Sequence, residues 1–234
     1  MPELPEVETS RRGIEPHIRK MRITKVTIRK RKLRWPISYV IDQNLPGQKV
    51  LSVTRRAKYL LINFKAGSIM LHLGMTGSVS IVENSTPAGI HDHVDIDFDS
   101  GKTLRFRDPR RFGSLHWSKK PMQHKLLKSL GPEPLSDHFD ANYLWKKSRG
   151  RKVSIKQFIM NAQIVVGVGN IYASESLFLA GINPKRAAGK ISHDRYGDLV
   201  DSIKEILIKA IKAGGTTLRD FYRSDGKTWN SKTL

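Results

Sequence analysis

The hydrophobic period of this chain changes for the last time near residue 131, and that change constrains the fold more than any single motif does. Upstream, apolar residues recur mostly at every second position, so segments 23–30, 50–56, 58–64 and 68–74 read as strands. Val94, Ile96 and Phe98 alternate in the same way. Leu104 and Phe106 answer them across Asp99, Ser100, Gly101 and Lys102, which predicts a hairpin. The exception is the start, where Leu4, Val7, Arg11, Ile14 and Ile18 share helical spacing and Glu8 and Arg12 form an i,i+4 pair. GPEPLSD at 131–137 concentrates proline and glycine and ends the strand pattern. Beyond it the period is helical. Ile155, Phe158 and Ile159 share a face, and a helix is expected over about 171–180 with Gly181 as its cap. Ser192 can cap the longest helix, whose stripe runs through Leu199, Ile203, Ile206, Leu207 and Ile211 to Gly214 and Gly215. The expected class is α+β: an N-terminal helix and antiparallel β-sandwich over 1–130, a hinge over 131–149, an all-α domain over 150–227 and a short tail over 228–234.

Lysine and arginine total 42 against 21 acidic residues, a formal charge of +21. Such an excess repels itself in the compact state and points to a polyanionic partner, with nucleic acid ahead of an anionic membrane surface. No apolar run is long enough to span a bilayer, and the first residues, MPELPEVETSRR, lack the apolar segment of a signal peptide. Cysteine is absent, which excludes disulfides and thiolate metal sites. A cytoplasmic protein is expected.

Four stretches could carry chemistry. If Met1 is removed, Pro2 becomes a free secondary amine. An α-amino group titrates near about 7.7–8, so a useful fraction is unprotonated at neutral pH. Such an amine can attack an aldehyde-like carbon and form an iminium, with Glu3 beside it to move protons. The competing reading is a proline that starts a helix whose Glu3, Glu6 and Glu8 complement the helix dipole. GVGN at 167–170 opens a helix and suits a phosphate clamp with Asn170 and Lys156, although a plain turn needing small residues fits equally. Tyr172 stands where a dinucleotide fingerprint needs its third glycine, and no βαβ unit surrounds it. HDHVDID at 91–97 puts His91, His93, Asp95 and Asp97 on one strand face, like a metal array; because alternate strand residues diverge, a polar face with His91 free to touch phosphate is the better expectation. RFRDPRRFG at 105–113 interleaves four arginines with two phenylalanines, the chemistry of base stacking and phosphate contact, or else forms a solvated basic loop with Phe112 in the core.

PELPEVE at 2–8, RRAKYLL at 55–61, HLGMTG at 72–77, HDHVD at 91–95, DPRRFG at 108–113 and VVGVGNIYASESLF at 165–178 occur in this order. Together they resemble the bacterial formamidopyrimidine-DNA glycosylases, base-excision repair enzymes for 8-oxoguanine and ring-opened purines. The resemblance runs from residue 2 to about residue 227. It implies a helix–two-turns–helix DNA-binding domain in the second half, and double-stranded DNA with oxidised purines or abasic sites as partner. It also implies a monomer in the bacterial cytoplasm, on the nucleoid while acting. Pro2 would attack C1′ and form a Schiff base, Glu3 would be the acid/base partner, and Lys58 would serve β-elimination and contact phosphate. Met75, Arg110 and Phe112 would fill the void left by the flipped nucleotide, with Arg110 facing the orphan cytosine. His91, Arg151, Lys156 and Asn170 would hold the DNA backbone. Glu6, Glu175 and Tyr222 match positions expected near the lesion pocket, the last within FYRSDGK at 221–227, which resembles the loop over the flipped base. The physics agrees, because a stacked nucleotide must be flipped out at a cost of a few kcal/mol, and wedges offset that cost.

Some positions depart from the family pattern. Arg151 stands where lysine is common, and IMNAQ at 159–163 leaves Asn161 without a carboxylate and Gln163 without a charge. The family ends in a zinc finger with four cysteines; here the pattern stops after Lys227, so truncation before the finger, loss of its zinc and no cofactor are expected. The expected activity is that of a bifunctional glycosylase and AP lyase working by β-elimination, with Schiff-base chemistry on abasic DNA, weak excision from duplexes and δ-elimination doubtful. The alternatives are a catalytically impaired relative that binds damaged or abasic DNA, and a basic structural nucleic-acid-binding protein. The last leaves Pro2, Glu3 and Lys58 in motif context unexplained.

Overall fold

The structure, a computed structural model, describes residues 2–214. Helix α1 (Leu4–Ile18) is followed by β1 (Ile23–Ile28), α2 (Tyr39–Asn44), β2 (Ser52–Arg56), β3 (Tyr59–Phe64), β4 (Gly67–His72), β5 (Ser78–Glu83), β6 (Asp92–Phe98), β7 (Lys102–Arg107) and β8 (Ser114–Ser118). Then come α3 (Ala141–Ser148), α4 (Ile155–Met160), α5 (Asn170–Leu179) and α6 (His193–Lys212). The class is α+β, as the two hydrophobic periods require. Pro2 and Glu6–His124 belong to one compact unit; Glu3–Pro5 and residues 125–214 belong to another.

In the first unit two antiparallel four-stranded sheets run β1-β6-β7-β5 and β2-β3-β4-β8. Leu60, Ile62, Ile69 and Leu71 of one sheet share a core with Val94, Ile96, Leu104 and Phe106 of the other, and Val7, Ile14 and Ile18 of α1 join it. Each such side chain, fully buried, contributes about 1.5–3 kcal/mol. The expected β6–β7 hairpin forms, with Ile96 opposite Leu104 and Gly101 at φ +78 in the turn. Glu8 binds Arg12 as its spacing predicts, and also Arg11 and Arg55. The hydrogen bonds and charges of these arginines outweigh burial, which alone would raise the Glu8 carboxyl, and hold it below its ordinary value.

The second unit has its own core, in which Tyr172 and Tyr196 are the largest fully buried side chains. Residues 131–149, expected as a hinge, hold α3, whose N-cap Asp140 accepts from Tyr143 N and whose Leu144 is buried. The proline-rich stretch before it is a turn inside this unit. Gly131 N donates to Ala162 O at 2.8 Å and Val166 N to Pro132 O at 3.2 Å, so its punctuation marks a packed turn. Helix α5 stops where Gly181 takes φ +62, which a Cβ would oppose. Ser192 caps α6 by accepting from Arg195 N, and Leu199, Ile203 and Leu207 lie on its buried stripe. Residues 221–227 and the tail lie outside the described residues.

Candidate active site

The start of α5 has no side-chain cap, because Gly169 is its N-cap residue. A helix start without a cap presents unsatisfied N–H groups and partial positive charge. Here those groups meet the Glu3 carboxylate. Gly169 N donates to Oε2 at 2.6 Å, Ile171 N to Oε1 at 2.9 Å and Tyr172 N to Oε2 at 3.4 Å. Leu4 N donates to Gly167 O at 3.0 Å, and Glu3 is only 2% exposed. An internal carboxylate, delivered by the chain itself, therefore occupies the Gly169, Ile171 and Tyr172 amides, of which only the first lies within GVGN. The glycines serve that contact. A Cβ on Gly169 would lie 2.4 Å from Glu3 Cδ, and one on Gly167 would lie 2.6 Å from Leu4 Cβ. Of the other expected residues of this unit, Asn170, Glu175 and Arg151 are exposed, and Lys156 on α4 is half-buried.

In the first unit Pro2 and Glu6 are buried. Lys58 stands in the two-residue turn between β2 and β3, closed by the Arg56–Tyr59 pair. Its neighbour Ala57 takes φ +54, a conformation sparsely used by non-glycine residues. Tyr59 pairs with His72 across the sheet, with ring centroids 4.8 Å apart. His72 Nδ1 accepts from Gly74 N at 3.0 Å. Burial first, then the charges of Lys58, Arg34 and His116, push the His72 pKa down to about 4. The ring is therefore neutral at neutral pH, which leaves Nδ1 free to accept.

Met75 and Phe112 are exposed, at 37% and 44% of their surface, so Phe112 lies outside the core. The Arg110 guanidinium stands 4.7 Å from the Phe112 ring centroid. The loops carrying Met75 and Phe112 meet backbone to backbone: Gly74 takes φ +70, and a Cβ there would lie 2.4 Å from Gly113 N.

The polar face expected at HDHVDID is not open at His93, Asp95 and Asp97. A register shift between Asp92 and Val94 breaks the alternation. His93 Nε2 sits 2.8 Å from Asp108 O, and Thr103 donates to Asp97 Oδ1 at 2.6 Å. Buried Arg105 donates twice to Asp95, at 2.9 Å each, and Arg29 adds a third bond at 2.6 Å. Burial would raise the Asp95 carboxyl, but these two arginines hold it below its ordinary value. Arg105 also donates to Pro87 O and Thr86 O, both at 2.9 Å, and so fixes the loop before His91. His91 itself lines a cavity of about 400 Å³ with Arg29, Lys30 and Arg111. Sequence reasoning gave Arg105, Thr76 and Asp108 no role of their own, although all three lie inside motifs it singled out. Among the described residues no group of three or more His, Cys, Asp or Glu side chains could hold a metal ion. With no cysteine in the chain, its residues do not fit the family's four-cysteine zinc.

The formamidopyrimidine-DNA glycosylase N-terminal domain matches residues 1–115, and the H2TH domain of the same enzymes matches residues 130–222. The chain belongs to the formamidopyrimidine-DNA glycosylase family. It is 56% identical over 227 residues to the formamidopyrimidine-DNA glycosylase of Stutzerimonas stutzeri, covering 97% of this chain and 84% of that one. It is 58% identical over 226 residues to that of Stenotrophomonas maltophilia, with the same coverage. Among solved structures it resembles the Lactococcus lactis glycosylase bound non-covalently to DNA with an AP site, at 32% identity and TM-score 0.85, covering 92% and 83% of the two chains. It also resembles the G226P mutant of that enzyme with Fapy-dG DNA, at 33% identity and TM-score 0.88, covering 97% and 85%.

Proposed function

We propose that this chain is a base-excision DNA repair enzyme, a bifunctional glycosylase that removes oxidised purines from double-stranded DNA and nicks the abasic site by β-elimination. The observation that carries the reading is the Glu3 carboxylate, buried and held by three backbone amides, on the residue next to the Pro2 amine. A carboxylate so fixed is pre-organised to move protons at the atom the amine attacks. The Pro2 nitrogen bonds to C1′ as the glycosidic bond breaks and the base leaves with the electron pair and a proton. Opening of the sugar ring, with protonation of O4′ by Glu3, gives the iminium. The cationic nitrogen then accepts electron density as a C2′ proton is lost and the C3′–O bond breaks. Lys58 serves this elimination and contacts phosphate.

Met75, Arg110 and Phe112 take the place of the extruded nucleotide, and their exposure supports that role. Arg110 faces the orphan base. His91, Arg151, Lys156 and Asn170 hold phosphates by their side chains, while Glu6 and Glu175 serve the lesion pocket. No step runs through zinc. The bacterial relatives support work in the bacterial cytoplasm. The comparisons do not favour an impaired DNA-binding relative.

Borohydride trapping tests this reading. With Met1 removed and at low salt, a covalent adduct is expected on abasic and 8-oxoguanine duplexes. No adduct with either would sink the enzyme reading.

A further inference from the structure

We propose that Asp108 and Thr76 are positioning residues that lock the two wedge-bearing loops into one body, so that Met75, Arg110 and Phe112 enter the duplex together. The inference rests on the function proposed above. Asp108 is fully buried, and both of its carboxylate oxygens serve loop atoms. Thr76 donates its hydroxyl to Oδ1 at 3.1 Å, and Gly113 N donates to Oδ2 at 2.7 Å. The Thr76 oxygen in turn accepts from Arg110 N at 3.3 Å. The Asp108 main chain adds three more ties: its N–H donates to His91 O at 3.0 Å, and its carbonyl faces Arg111 N at 3.2 Å and His93 Nε2 at 2.8 Å.

The placement of these anchors matters. Thr76 follows Met75, Gly113 follows Phe112, and the Arg110 amide is itself anchored on Thr76, so each wedge residue is, or adjoins, a residue held by Asp108 or Thr76. Arg111 takes φ +57, a conformation that persists in a non-glycine residue only where its surroundings over-determine it. The bond from its amide to Asp108 O supplies that constraint. Gly74 and Gly113 remove the side chains that would otherwise hold the loops apart; a Cβ on Gly113 would lie 3.0 Å from Asp108 Oδ2. A buried carboxylate is tolerated only when hydrogen-bonded, and here every donor given to it belongs to a wedge loop. A surface loop that merely displayed cations would need none of this.

Wedge insertion is required for a lesion stacked in a duplex. It is not required for an abasic site in a single strand, which has no partner base and leaves no void. Thr76→Val removes the hydroxyl at constant shape. It should lower single-turnover excision of 8-oxoguanine from duplex DNA about tenfold, the effect of one unsatisfied buried bond on placement. Cleavage of a single-stranded abasic oligonucleotide should stay within about twofold of the parent. Thr76→Ser should restore the duplex rate, and Asp108→Asn, checked by thermal unfolding, should lower it further. A parallel loss on both substrates, or a Val variant equal to the parent on the duplex, would overturn the inference. A second reading needs no chemistry: a duplex with 2-aminopurine beside a stable abasic analogue brightens when wedges unstack it, and Thr76→Val should weaken that signal. If the parent protein traps no adduct yet shows a Thr76-dependent signal, the enzyme reading falls and the positioning role stands. If the parent's signal does not depend on Thr76, the positioning role falls.

Discussion

Replacing Gly169 with alanine adds one methyl group, and the structure makes its effect on catalysis large. Gly169 has φ −117, which alanine adopts freely, so chain entropy alone predicts a gain of about 0.4–1 kcal/mol in stability. Space predicts the opposite for Glu3. The new Cβ would lie 2.4 Å from its Cδ, 2.5 Å from Oε1 and 2.8 Å from Cγ, all distances that real contacts do not sustain. The carboxylate must therefore leave the α5 start, losing its bonds from Gly169 N at 2.6 Å and Ile171 N at 2.9 Å. Each bond to a charged group is worth about 1.5–3 kcal/mol, so the organisation lost is about 3–6 kcal/mol before water replaces the donors. A positioned acid/base contributes about 10²–10⁴-fold to rate, and Glu3 out of place should forfeit most of it. The assay is single-turnover excision of 8-oxoguanine from a duplex, with DNA affinity and thermal unfolding measured on the same variant. Excision should fall at least about 100-fold, while affinity, carried by exposed cations, changes little. A variant that excises within about threefold of the parent's rate would show that the amide cradle does not set Glu3's function.

Gly197, inside α6, has open space within 4 Å of the point where an alanine methyl would stand, so Gly197→Ala should stabilise the chain by about 0.5–1 kcal/mol and raise the unfolding midpoint without altering excision. His72, ordinarily near 6.5 and held at about 4, stays neutral in the folded state while the unfolded chain takes up a proton. Stability should therefore fall as pH drops from about 6.5 to 4, by up to about 3 kcal/mol, and His72→Gln should flatten that slope. An NMR titration of His72 with a midpoint above about 6 would contradict it. Affinity for undamaged duplex should fall steeply with salt, and Lys156→Ala should reduce the log–log slope by about 0.9, the share of one phosphate contact; an unchanged slope would remove Lys156 from the DNA interface.

Much of the fold was legible because its signals are local. The stripe Leu199–Ile203–Leu207, the Ser192 cap and the turn glycines Gly101 and Gly181 each act through neighbours in sequence, and all appear where spacing puts them. Strands β5 and β8, with two or three apolar residues each, went unread although β1 and β2 are no longer than they are. Helix α3 was hidden because the proline-rich segment ahead of it looks the same whether it links units or turns within one. The site divides along the same line. Pro2, Glu3, Lys58 and the wedge residues stand in recognisable motifs, but the partners of Glu3 lie more than 160 residues away, and nothing local pairs Arg105 with Asp95 or Thr76 with Asp108.

The occupied start of α5 also bears on how DNA is held. A helix N-terminus is a ready anion site, and a phosphate placed there would be bound by backbone groups that no substitution removes. In this chain Glu3 fills it. Under the proposed function, phosphate binding in the second unit then falls to side chains, to Asn170, Lys156 and Arg151, and becomes sensitive to single substitutions and to salt. The two demands on the stretch from GVGN into α5 are separated by atom type: the amide of Gly169, with those of Ile171 and Tyr172 after it, orients the acid, and Asn170 remains exposed. Its glycines therefore matter for the carboxylate that their missing Cβ atoms admit, and loss of Gly169 should impair chemistry before binding, whereas loss of Lys156 should impair binding before chemistry.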